Sequence, residues 1–193
     1  MIRVQPQPEP DDFDAKVRQP GLRALTEGAG DPPPLWRDCA LQLWEAYRGI
    51  CSYLCVLIPR GTALRSVDHF LAKSQRRDQI YEWSNYRLAC SLMNSRKREF
   101  EDVLDPFEVE AGWFVLEFSF LQILTNPNLD AATQARVQAT IDRLKLNDNE
   151  CLQARATYYE PYRRGLLAFE MLEWWSPFVA AELKRQGLTG DAT

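Results

Sequence analysis

A chain of 193 residues, 46% hydrophobic and 26% charged, has the composition of a globular protein, which excludes a fibrous, low-complexity or wholly disordered polypeptide. Its longest apolar runs, such as residues 113–116 and 118–121, are separated by Glu117 and fall far short of a bilayer span. A net charge of −4 would count against a nucleic-acid protein, but residues 60–98 hold nine Lys/Arg against three Asp/Glu, leaving 14 basic against 24 acidic residues elsewhere.

Residues 1–34 contain seven of the twelve prolines plus Gly21, Gly28 and Gly30, and so read as an arm with few backbone donors for a ladder or long helix. Trp36, Ala40, Leu43, Trp44 and Tyr47 recur at three- and four-residue spacing, which predicts an amphipathic first helix. Residues 51–70 read as an irregular hairpin: Val56-Leu57-Ile58, a Pro59-Arg60-Gly61 turn, then Ser66 to Phe70 as a strand. A polar loop at 74–78 precedes a second strand at 86–89, and 91–100 contains good helix formers without Gly or Pro. The order is strand, loop, strand, helix.

Beyond Leu104-Asp105-Pro106, residues 113–124 are rich in aromatic and β-branched side chains, predicting a strand pair closed by Asn126-Pro127-Asn128. Asp130 is a good N-cap for a helix over 130–146, with Val137, Ile141 and Leu144 on one face. Residues 149–186 read as mainly helical, with Pro161 and Pro177 dividing or kinking them. The first six residues lack the apolar stretch of a secretory signal, so a cytoplasmic location is expected. Five cysteines, an odd number, favour reduced thiols.

The chemistry is concentrated in Val67-Asp68-His69-Phe70, Trp83-Ser84-Asn85 and Asn94-Ser95-Arg96-Lys97. Singly these are weak signals: Asp-His is commonly a surface or core pair, Asn85 suits a turn, and Asn94 suits an exposed helix position. In this order they resemble the HNH nuclease family, in its HNN variant, over about forty residues. The similarity is to small HNH proteins of bacterial anti-phage systems, of the Septu or retron-associated kind.

That resemblance implies an α+β fold, with a ββα-metal motif at 66–100 inside a mainly helical single domain. It divides the chain into the arm at 1–34, a nuclease core at 35–110, and a strand pair with a helical subdomain at 111–193. It also implies a DNA endonuclease, with RNA or tRNA as other substrates, a defence-system ATPase as partner, and no membrane association. His69, the only histidine, would be the general base, since a neutral imidazole can take a proton from water near pH 7. Asn85 would tie the loop and orient His69, while Asp68 and Asn94 would offer oxygen ligands to Mg²⁺ or Mn²⁺. Lys73, Arg96 and Lys97 would contact phosphate.

Many relatives carry two Cys-x-x-Cys pairs that bind structural zinc. Here Cys51 and Cys55 are separated by three residues, and Met93 stands where a partner for Cys90 would fall. No structural zinc is expected, and Cys51, Cys55 and Cys90 should pack as small hydrophobes. The alternative function is an inactive HNH-fold module that binds nucleic acid or protein.

Overall fold

Residues 1–26 are packed against the body of the protein, which corrects the expectation of an arm. A computed structural model describes residues 1–28, 30–61 and 63–189. Met1, Phe13 and Val17 are fully buried. The Val4 amide donates to the Pro106 carbonyl at 2.8 Å, and the indole of Trp83 donates to the Gln7 carbonyl at 2.9 Å. A π-helical turn, Asp14–Arg18, runs into α1, Gln19–Thr26. Pro20 is the second residue of α1, and the π-helical turn leads directly into it. Gly21 is required there: a Cβ would fall 2.3 Å from the Tyr81 ring.

The expected first helix is split into a 3₁₀ turn, Leu35–Arg37, and a short α2, Ala40–Ala46. The 51–70 segment is a hairpin only in part, with a single bridge between Ile50 and Leu57. β1, Arg65–His69, and β2, Tyr86–Cys90, then pair antiparallel, with Val67 opposite Leu88 and His69 opposite Tyr86. α3, Ser91–Lys97, starts at the residue after β2. The chain therefore contains the strand, strand, helix unit its sequence pattern suggested.

β3, Phe114–Glu117, and β4, Gln122–Thr125, form a second antiparallel pair. In β3 the burial alternates, with Phe114 and Leu116 inward, and the Leu116 amide donates to the buried carboxylate of Glu182 at 2.9 Å. α4, Ala131–Leu144, begins on Asp130, whose carboxylate caps the amides of Ala132 and Thr133. α5, Asn149–Arg163, carries Pro161 in its last turn, and the helix ends as Gly165 takes a φ of 68°. α6, Phe169–Trp175, and α7, Pro177–Arg185, follow, with Pro177 starting α7.

The two halves share one core. The Leu57 amide donates to the Trp175 carbonyl at 2.8 Å, and the fully buried guanidinium of Arg155 donates to the carbonyls of Leu121 and Leu146. The architecture is mixed helix and strand, and among the described residues no helix is long and apolar enough to cross a membrane.

Candidate active site

β1 delivers Asp68 and His69 together, and as neighbours on a strand their side chains leave opposite faces. His69 packs edge-on to Trp36 at 4.8 Å and to Tyr86 at 5.0 Å between ring centroids. Its Nε2 lies 2.9 Å from the Ile80 carbonyl, which also accepts from the Tyr86 hydroxyl at 2.8 Å. A carbonyl can only accept, so Nε2 carries the proton and Nδ1 keeps a lone pair. Nδ1 meets no hydrogen-bond donor among the described residues and is not sealed from solvent. Burial pushes the imidazole down to about 4, helped by Lys73 and Lys97 and opposed by the Ile80 carbonyl, so His69 is neutral at pH 7.

Asn85 holds the loop that carries Ile80. Its Oδ1 accepts from the Leu71 amide at 2.7 Å, and its Nδ2 donates to the carbonyls of Leu71 and Gln79 at 3.1 and 3.0 Å. Because Gln79 precedes Ile80, Asn85 fixes the carbonyl against which His69 rests. All three bonds are buried with the side chain, so they face little competition from water.

Asp68 sits on the other face, almost fully buried. It accepts from the Tyr53 hydroxyl, and the ammonium of Lys97 lies 3.6 Å from its other oxygen. Burial raises its carboxyl above the usual range, while Lys97, Tyr53 and Arg87 draw it back toward the charged form. Lys97 has no exposed surface and donates to the carbonyls of His69, Phe70 and Arg98. Asn94, in the first turns of α3, donates to the Ser66 hydroxyl through Nδ2 and retains Oδ1 as an acceptor.

One open cleft of about 1100 Å³ is lined by residues that include Asp68, His69, Asn94, Lys73, Trp36 and Ser66, although the Asp68 carboxylate has almost no exposed surface. Lys73 is exposed, with its ammonium 4.3 Å over the Trp36 ring.

Two of the expected phosphate contacts are corrected. Lys97 is sealed inside beneath β1. Arg96 points at the C-terminal half, donating to the carbonyls of Leu144 and Lys145 and pairing with Asp148. Asp105, with no role visible in the sequence, forms a two-pronged pair with buried Arg87 at 2.8 and 2.7 Å. Tyr53, Ser66 and Trp36 belong to the site yet carry no motif. Trp36 is visible in the sequence only as one residue of an apolar stripe.

The Cys51 and Cys90 sulfurs lie 3.9 Å apart, whereas Cys55 faces the carbonyls of Ser52 and Tyr53. The Cys51 thiol, hydrogen-bonded to Cys90, pulls Cys90 down to about 7. Among the described residues there is no group of three or more His, Cys, Asp or Glu side chains that could hold a metal ion. A metal in the cleft would rest on Asp68, the Asn94 amide oxygen and water. No model of a known protein family matches the chain, and no curated protein matches it significantly.

Proposed function

We propose that the protein is a metal-dependent nuclease of the HNH type, hydrolysing phosphodiester bonds in the cleft beside His69, with DNA as the first substrate and RNA or tRNA as alternatives. The observation that carries this reading is the state of His69, which lines the cleft with one ring nitrogen committed to a fixed carbonyl and the other keeping its lone pair. Such an imidazole can take a proton from a water attacking phosphorus. A base at about 4 is entirely free at pH 7 but has a low proton affinity. A phosphate anion bound nearby raises that affinity, because it stabilises the imidazolium as it forms.

The donor set around Asp68 and Asn94 is all oxygen, which fits a hard cation such as Mg²⁺ or Mn²⁺. When bound, that ion would supply positive charge to the phosphate and the departing oxygen. Lys97 already compensates Asp68, so the free protein should bind the ion weakly and hold it better with phosphate present. The chain's own residues do the rest. Tyr53 and Lys97 fix the Asp68 carboxylate, Ser66 fixes the Asn94 amide, and Asn85 fixes the wall behind His69.

The test is cleavage of plasmid DNA, linear DNA and structured RNA with Mg²⁺ or Mn²⁺, against a chelator control. His69→Ala should lower the rate at least about a hundredfold, as general-base catalysis is worth about 10² to 10⁴. Equal rates for the folded variant and the parent would refute the reading. The engagement of Asp68 by Tyr53 and Lys97 favours one alternative, a module that binds nucleic acid without cutting it. Binding without metal-dependent cleavage would select that alternative.

A further inference from the structure

Most buried or half-buried cations of this chain have a carboxylate partner: Arg18 with Glu82, Arg87 with Asp105, Arg96 with Asp148, and Lys97 with Asp68. Four cations line the cleft beside His69, one half-buried (Arg65) and three exposed (Arg37, Lys73 and Arg98). Among the described residues none of the four has a carboxylate within 4.0 Å or donates a side-chain hydrogen bond. The Nε of Arg65 is buried without an acceptor. A buried guanidinium nitrogen left unpaired is costly. The two acids of the cleft are already engaged, Asp68 by Tyr53 and Lys97, and Glu99 by the Ser74 hydroxyl at 2.9 Å. In a chain of net charge −4 this is a local excess of free positive charge.

The four cations come from separate segments of the chain. Arg65 opens β1, and Arg98 follows α3, which packs on β1. Arg98 has φ 49° and ψ −126°, backbone geometry that a side-chain-bearing residue seldom takes, and there it lines the cleft where the helix has ended. Arg37 follows Trp36, and Lys73 rests on the Trp36 face, next to His69.

We propose that Arg37, Arg65, Lys73 and Arg98 form a clamp for the phosphodiester backbone of a nucleic acid, gripping phosphates in the cleft that His69 also lines. The neutral polar side chains of the cleft are few, and Asn94 and Ser66 already bind each other, so there is little with which to read bases. The clamp therefore selects by charge and not by sequence, since phosphate contacts position a nucleic acid while base contacts specify it. This rests on the nuclease reading for the place of His69, but binding and cleavage are measured separately.

The experiment uses the full chain carrying His69→Ala, so that bound nucleic acid is not cut, and a short fluorescein-labelled oligonucleotide read by anisotropy with and without Mg²⁺. The Kd of the oligonucleotide should be the same for scrambled sequences and should rise steeply with salt. Arg98→Ala and Arg65→Gln should each weaken binding about tenfold and flatten the salt slope by about 0.9 on a duplex or about 0.7 on a single strand, the value of one phosphate contact. Arg164→Ala, at an exposed position outside the cleft, should leave Kd unchanged. Arg98→Gly guards against misfolding, because glycine suits a φ of 49° and should keep or raise stability while losing the same affinity. Folded Arg65 and Arg98 variants that bind as the His69→Ala parent does would overturn the clamp, as would an oligonucleotide that fails to bind at about 50 mM salt. If those variants lose affinity while the unmodified protein cuts nothing, the clamp holds and the nuclease reading falls. If it cuts and their affinity is unchanged, the clamp falls and the nuclease reading holds.

Discussion

Acidification should destabilise this protein through a group that can be isolated, because the chain has one histidine. His69 is neutral in its buried pocket, with its pKa depressed from 6.5 to about 4, while the unfolded chain takes up a proton near 6.5. The unfolded state therefore binds more protons between those values. Stability from this source is complete above 6.5, and is lost as pH falls toward 4. A shift of this size is worth at most about 3 kcal/mol, of which about 2 kcal/mol should be gone by about pH 4.5. Other groups titrate nearby: burial pushes the Met1 amino group down to about 5, and raises Asp68, which acts in the opposite sense. Comparison with His69→Gln cancels them, since an amide can still donate to the Ile80 carbonyl but has no proton to take up. Urea denaturation of both proteins across this range should show the parent losing about 2 kcal/mol more than the variant. Parallel stability curves would refute a buried neutral His69.

Lys97→Met leaves Asp68 buried without its cation, so it should destabilise by roughly 3–5 kcal/mol in urea denaturation, and adding Asp68→Asn should recover part of that loss. Asn85→Ala removes three hydrogen bonds of a buried side chain and should cost roughly 2–4 kcal/mol, lowering the proposed nuclease activity as the Ile80 carbonyl loses its anchor. Gly21→Ala should cost roughly 1–3 kcal/mol by crowding Tyr81, seen as a lower Tm and faster proteolysis of the N-terminal segment.

Where one physical signal dominated, the sequence was easily read. The aromatic and β-branched content of 113–124, the Asp130 cap of α4, and Pro177 at the start of α7 each depend on local chemistry, and each element lies close to its expected place. The N-terminal segment was misread because proline content reports missing donors, whereas docking here uses what remains. Carbonyls at Gln7 and Pro106, and the apolar surfaces of Met1, Phe13 and Val17, hold it in place. The long first helix failed for a tertiary reason: Trp36 is held in a 3₁₀ turn against His69, and so leaves the stripe that its spacing suggested.

At the site, Asp68, His69 and Asn94 line one cleft while Asn85 holds the loop behind it, because residues 65–97 form a strand, strand, helix arrangement. Its cations were misassigned for want of a helical projection. On a helix Arg96 lies about 160° around the axis from Asn94, so it could not face a cleft lined by Asn94. Lys97, about 60° away, does share that face, but at this distance along α3 it lies under the last carbonyls of β1 and becomes the buried partner of Asp68. The next residue, Arg98, would lie about 40° from Asn94, and it reaches the cleft although the helix ends before it. Three consecutive cations thus take three different environments: one binds the C-terminal half, one neutralises a buried carboxylate, and one is left free at the cleft. Composition could count them as a single basic run. Only the direction of each side chain distinguishes the charge that stabilises the fold from the charge that remains for an anion.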